Sequence, residues 1–360
     1  MAVIILNKEI VKEKEMRDSQ FELLRIVAML FIVTHHLVIK GADTVGYITP
    51  YSVEASGFAG VVINSFVVGG VNLFVLITGW YGVKLKWNSI FRLIVDCMIF
   101  GIVSYLILTL ICDHAFNIKE MIISGLFTKN WFVVSYMMLL LSSPMIEASF
   151  INLSNKTLLQ WILLLTVLNL YFGYYLNYVN SDGYNMIQFI WLYYIAHYLR
   201  TTQRVRLYTQ LSRYGVIFFI IGSFLLALLY LLLNHLGHTP ASQKYFAYNN
   251  PLVMVSSIFL FMWFSSIRFK NRFVNVMATG VFGVFLIHTT IYVQPYRNSY
   301  THIVFCQYGY AGVVLESFLL LLFLCLMSIF INKMNISFVK YVNKVLLRLF
   351  GNQFPSINKS

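Results

Sequence analysis

The chain has 360 residues, 59% of them hydrophobic and only 11% charged, with a mean hydropathy of +0.75. Soluble domains carry about 25% charged residues, so the composition excludes an ordinary soluble protein of this length. The formal net charge of +13 does not point to nucleic acid, because the cations stand in short clusters between apolar segments, the pattern that sets membrane topology.

Residues 1–20 mix charges of both signs and are expected to form a cytosolic or interfacial segment, with Met16 an alternative start to Met1. Apolar runs long enough for hydrocarbon, about 20 residues each, then follow in order. They lie at 21–39, 61–80, 93–111, 131–146, 158–175, 187–199, 216–234, 251–267, 280–293 and 310–331, the sixth and ninth being short. A basic tail follows at 332–360. The expected fold is all-α, a polytopic transmembrane bundle of about ten spans with one domain over 21–331. Alternating sides leave only Lys40, Lys119, Lys129, Lys244 and Arg297 on one face, and the rest of the 26 Lys and Arg on the other. That bias puts both termini in the cytosol. Of the four cysteines, Cys97 and Cys325 fall in apolar runs, and a pairing of Cys112 with Cys306 stays open.

An ionisable group inside a span costs on the order of 3 kcal/mol on insertion scales, so each is a functional hypothesis. In the first helix Arg25 sits about a turn inside the cytosolic end, with His35 and His36 toward the far side. Eleven residues make about three turns, so Arg25 and His36 share a face about 16 Å apart, while His35 points about 100° away. Arg25 pairing with Glu22 or Asp18, and His36 bonded to a neighbouring helix, is the bland alternative. Asp96 follows Arg92 by four residues, an ion-pair spacing. Asn72 and Thr78 accompany Gly69, Gly70 and Gly79, a pattern of close helix packing. His288 in the ninth helix would face either a neighbour or the His36 cavity. Tyrosines gather at outer ends (Tyr47, Tyr51, Tyr171, Tyr175, Tyr178, Tyr184, Tyr248), as in an interfacial aromatic belt or a sugar-stacking surface.

These residues resemble the acyltransferase 3 family of membrane-bound O-acyltransferases. Arg25, ten residues and His36 match the family's first-helix hallmark. Gly70-Val71-Asn72-Leu73-Phe74 with Thr78-Gly79-Trp80 is similar to its Gly-Val-Asp/Asn-Leu-Phe-Phe…Ser-Gly-Phe stretch. The basic turn at Lys84, Lys86 and Arg92, the Trp131-Phe132 opening with Tyr136, and Gly283-Val284-Phe285-Leu286-Ile287-His288 also fit in order. Thr78 replaces a Ser, Val75 and Trp80 replace Phe, and Asn130 stands where a His often precedes the Trp. The chain resembles the stand-alone type, without a C-terminal hydrolase-like domain.

The resemblance implies a multi-pass cell-membrane enzyme. It would move an acyl group, most often acetyl, from cytosolic acyl-CoA to a hydroxyl of a surface polysaccharide or lipid-linked sugar. Acyl-CoA would be a co-substrate, with no bound cofactor and no metal, and partners limited to membrane lipid, donor and acceptor. Arg25, Lys84, Lys86 and Arg92 would hold CoA phosphates, since arginine offers forked donors. His36 would act as general base or acyl carrier, with Asn72, Thr78, His288 and Trp131 in support. A proton-coupled transporter or flippase is the alternative in another class; it would show internal repeats and Pro-broken helices, and the chain has six prolines and no evident repeat.

The charge bias predicts which loops face outward. Single cysteines within 41–60 or 237–249 should react with an impermeant maleimide on intact cells, and those beside Arg204 or Lys270 should not. Labelling at Arg204 would reverse the orientation.

Overall fold

The structure is a computed structural model that describes residues 17–42, 55–85, 87–126, 130–238 and 244–350. The expectations for 1–16, Tyr47, Tyr51 and Lys86 lie outside the described residues. Those residues form helices and no strand: α1 Ser19–His36, α2 Ala55–Val67, α3 Gly70–Tyr81, α4 Trp87–Ile111, α5 Ile118–Gly125, α6 Trp131–Phe150, α7 Asn155–Leu168 and α8 Met186–Thr202. Then come α9 Arg206–Arg213, α10 Gly215–His235, α11 Pro251–Ser266, α12 Arg272–Ala278, α13 Val281–His288 and α14 Val293–Phe350.

Among the described residues, eight helical segments are long and apolar enough to cross a membrane. They coincide with eight of the ten expected runs. The other two are the short ones, now α8 and the pair α12–α13, the latter an apolar helix over Arg272–His288. Boundaries differ most near the end of the chain. Thr289 and Thr290 turn their hydroxyls back onto the carbonyls of Phe285 and Leu286, and the chain turns there. Val293 therefore opens α14, seventeen residues before the expected start of that span. Helix α14 is kinked at Gly309, where φ is 61°, and continues to Phe350. The four cysteines are free thiols.

Helix α1 is the hub. Leu24, Ala28 and Val33 on it are fully buried, and it packs against α2, α3, α11, α12, α13 and α14. The span Ser19–Gly41 is 61% buried and Gly57–Tyr81 72%, against 22% for Asn155–Tyr175 and 28% for Gly215–His235. The last two present Leu163, Leu164, Phe224 and Leu228 outward as a lipid-facing rim. Gly70 lets α3 close on α1, because a Cβ there would lie 2.8 Å from the carbonyl oxygen of Ala28. Such backbone approach drives association where lipid removes the hydrophobic contrast.

The residues 270–288 run parallel to α1 at a constant offset. Lys270 pairs with Asp18 at 3.0 Å, the amide of Asn271 donates to Ser19 Oγ at 2.7 Å, and His36 meets His288 at 3.0 Å, each pair 252 positions apart. A short helix suffices because it has only to match α1 between its two clamped ends. The pair α12–α13 spans about 26 Å at 1.5 Å per residue, close to the hydrocarbon thickness.

Gly70→Val should destabilise the bundle by about 1–3 kcal/mol through overpacking. Detergent-solubilised protein should melt several degrees earlier, while Leu164→Ala on the rim should leave melting near wild type. Equal melting for Gly70→Val and wild type would contradict the close α1–α3 packing.

Candidate active site

One face of α1 carries Arg25, Met29, Ile32 and His36, at steps of four, three and four residues. Arg25, Met29 and Ile32 line an inner cavity of about 420 Å³, and Ile32 and His36 line an outer cavity of about 350 Å³. The shared face expected from the spacing is present, but it opens into two cavities rather than one groove. They meet at Ile32 and Phe285, which border both.

The inner cavity is an arginine site. Arg25 donates to Glu22 at 2.6 Å, Arg17 lies 3.7 Å from the same carboxylate, and Arg92 sits 3.7 Å from Asp96. Arg17, Arg25 and Arg92 line the cavity with a single carboxylate, Glu22. The Arg25–Glu22 pairing is thus real, and Arg25 remains 30% exposed beside it. Thr78 belongs to this cavity; its hydroxyl donates to the Phe74 carbonyl at 3.0 Å and lies 3.4 Å from Tyr136 Oη. Lys84 is exposed on the connection after α3 and lines neither cavity.

The outer cavity is built around two histidines. His36 Nδ1 lies 3.0 Å from His288 Nε2, and His288 Nδ1 lies 2.7 Å from the Val284 carbonyl oxygen. A carbonyl can only accept, so His288 carries its proton on Nδ1 and offers the Nε2 lone pair. With both rings neutral, His36 must then donate from Nδ1, which leaves its Nε2 as a bare acceptor. His35 is turned away: its Nδ1 donates to Asn64 Oδ1 at 2.6 Å in the packed contact with α2. Immediately after His36 the helix widens into a π-turn at Leu37–Gly41, a distortion common at functional sites.

Trp131 walls the same cavity. It opens α6, where the Asn130 side chain accepts from the Val133 amide, and its ring stacks on Tyr248 at 5.7 Å. The Asn130 amide group donates to Thr289 Oγ1 at 3.0 Å, so α6 is fastened beside His288. Asn72 departs from its expected role. It is fully buried, its amide donates to the Tyr248 carbonyl at 3.0 Å, and it lines neither cavity. Gln188 joins it on the same carbonyl at 3.1 Å. Asn72 therefore braces the wall of the outer cavity without lining it.

A family model described as an acyltransferase domain, of the acyltransferase 3 type, matches residues 18–344. The chain belongs to this acyltransferase family. The match sets aside the transporter alternative. No curated protein and no solved structure matches the chain.

Sequence reading missed three residues that line the outer cavity, Lys40, Gln294 and Arg297, and named Tyr248 only among the outer tyrosines. Lys40 and Arg297 entered only as topology markers. Their signal was present, since a cation on the sparsely charged outer side is unusual, and one follows His36 by four residues. Lys86 lies outside the described residues. His197 stacks on Phe150 with ring centroids 3.7 Å apart, away from both cavities.

The hydrogen-bond chain predicts a tautomer. In protein with ¹⁵N-labelled histidine, solid-state NMR at neutral pH should find His36 protonated at Nδ1, and His288→Leu should abolish that preference. A His36 protonated at Nε2 in the wild type would contradict the chain.

Proposed function

We propose that this acyltransferase moves an acetyl group from cytosolic acetyl-CoA to a hydroxyl of an exported or cell-surface glycan. The observation that carries the proposal is His36, oriented by His288 in the outer cavity, one helical turn beyond Ile32, where that cavity borders the arginine-lined inner one. Three arginines line the inner cavity against the carboxylates of Glu22 and Asp96, an excess of positive charge that favours an anionic donor, and guanidinium forks suit phosphate oxygens. Donor binding in the inner cavity would require the pantetheine arm to pass between Ile32 and Phe285, the residues that border both cavities, to bring the thioester toward His36.

The acceptor enters from the other side. His36 Nε2 takes the hydroxyl proton as the oxygen attacks the thioester carbonyl, and His288 holds the ring as positive charge develops. Collapse of the tetrahedral intermediate breaks the C–S bond. The departing thiolate takes the proton from His36, giving an O-acyl ester and CoA-SH. If His36 instead carries the acyl group, the same two cavities separate loading from transfer. Trp131 and Tyr248 offer an aromatic wall for a sugar ring. Thr289 and Gln294 offer neutral hydrogen bonds.

Removing a general base costs about 10²–10⁴-fold, so His36→Ala should abolish detectable O-acetylation in a deletion strain at matched membrane levels. His35→Ala should retain substantial activity. His288→Leu should fall between them, about 10–100-fold down, as for groups that orient a reacting partner. Full O-acetyl content by NMR in cells expressing His36→Ala would remove the catalytic assignment.

The donor half is tested separately. Arg25→Ala should weaken acetyl-CoA binding with normal insertion, and Arg25→Lys should rescue it only partly, because a point charge replaces a fork. Unchanged CoA affinity in the alanine variant would leave Arg25 as no more than the partner of Glu22.

A further inference from the structure

The outer cavity is unevenly charged. Lys40 and Arg297 line it with His36, and among the described residues no carboxylate does. The fold brings these cations together by a close contact. A Cβ on Gly41 would lie 2.5 Å from Thr301 Cβ, so the π-turn sits directly on α14, one turn beyond Arg297. The Lys40 ammonium and the Arg297 guanidinium line the same cavity of about 350 Å³. Two like charges therefore face one small space.

Arg297 is only 8% exposed. Its Nη1 donates to the His288 carbonyl at 2.6 Å, and its Nε and Nη2 donate to Asn298 Oδ1 at 3.2 and 2.7 Å. These contacts use three of the five N–H groups of a guanidinium and supply no negative charge. Among the described residues, no carboxylate lies within 4 Å of it. Glu316 lines the adjoining groove that Arg297 also borders, with Oε1 2.8 Å from the Thr301 hydroxyl, so among these residues Arg297 has one acid at longer range and no ion pair in direct contact. A purely structural clamp on the His288 carbonyl would account for Arg297, but not for Lys40 converging on the same space. Burying a cation without a counter-charge is costly, and a substrate that supplies the charge offsets that cost.

We propose that the acceptor is anionic: the hydroxyl to be acylated lies near a carboxylate or phosphate that Lys40 and Arg297 bind. The inference rests on the acyltransferase reading and narrows its substrate class. The anion would sit beside the loop that follows His288, which places a neighbouring sugar hydroxyl at His36 Nε2. The charge has two possible sources. One is the carboxylate of an acidic sugar. The other is the phosphate of a lipid-linked sugar, whose chain would lie in the apolar groove of about 990 Å³ between α4 and α14, a groove that Arg297 also lines.

The test uses full-length protein in neutral phosphatidylcholine nanodiscs with acetyl-CoA. Three acceptors are compared: methyl glucuronide, methyl glucoside and a polyprenyl phosphoglucose. At least one charged acceptor should exceed methyl glucoside in kcat/KM by about tenfold or more, the size of a charge-assisted hydrogen bond. Preference for glucuronide assigns the carboxylate, and preference for the phosphoglucose assigns the lipid-linked phosphate. Lys40→Gln and Arg297→Gln should each collapse the charged-to-neutral ratio, and Lys40→Arg should preserve it. Should Arg297→Gln fail to fold, Lys40→Gln reads the ratio alone. A wild type indifferent to acceptor charge, or variants that slow all acceptors equally, would overturn the proposal. Calorimetric binding of the charged acceptors without acetyl-CoA separates the two levels. Binding lost in Lys40→Gln, with no transfer by the wild type, would keep the anion site and remove the acyltransfer reading. Acetylation of methyl glucoside without charge preference would do the reverse.

Discussion

The contact between His36 and His288 fixes more of this molecule than any other single interaction. A ring nitrogen that faces no cavity in a membrane protein has no water to fall back on and needs a partner from the protein. His288 spends Nδ1 on the Val284 carbonyl and has only a lone pair left for its neighbour. That forces one tautomer on His36 and aims its remaining nitrogen at the cavity. The same contact is the far end of a parallel clamp whose near end is Ser19 with Asn271, so the geometry of the histidine pair and the seating of the hub helix are the same feature.

The clamp also divides the site. Ile32 and Phe285 sit between the clamped ends, one on α1 and one on α13, and border both cavities. On one side lie three arginines and a carboxylate; on the other lie a histidine pair, two cations and an aromatic wall. An arrangement of this kind separates donor and acceptor by sterics and charge, without requiring either to cross the bundle.

Away from the reacting side chains, the outer half of the bundle is braced by amides. Asn72 and Gln188 share the Tyr248 carbonyl, Asn169 donates to Gln188, and Asn180 donates to Asn169. Amides both donate and accept, which lets such a chain close without net charge in a low-dielectric interior. Its product is a fixed Tyr248, and through the ring contact at 5.7 Å a fixed Trp131. Loss of Asn72 would be felt at the cavity through that wall rather than through direct contact.

Much of this was determined by the chain alone. Hydropathy gave the membrane-spanning segments, because lipid demands long apolar runs whatever the tertiary arrangement. Helical periodicity put Arg25 and His36 on one face, because 3.6 residues per turn is a local property. Which side chains would converge from distant segments was not legible. The offset that pairs His36 with His288 spans 252 residues and leaves no periodic trace. Lys40 and Arg297 read as topology charges because their meeting depends on Gly41 seating against Thr301. Asn72 read as a reactive-site amide because sequence shows a polar residue in a span without showing what satisfies it. The tertiary structure decided those points, since hydrogen-bond partners, cavities and the pairing of buried charges exist only once the helices have packed.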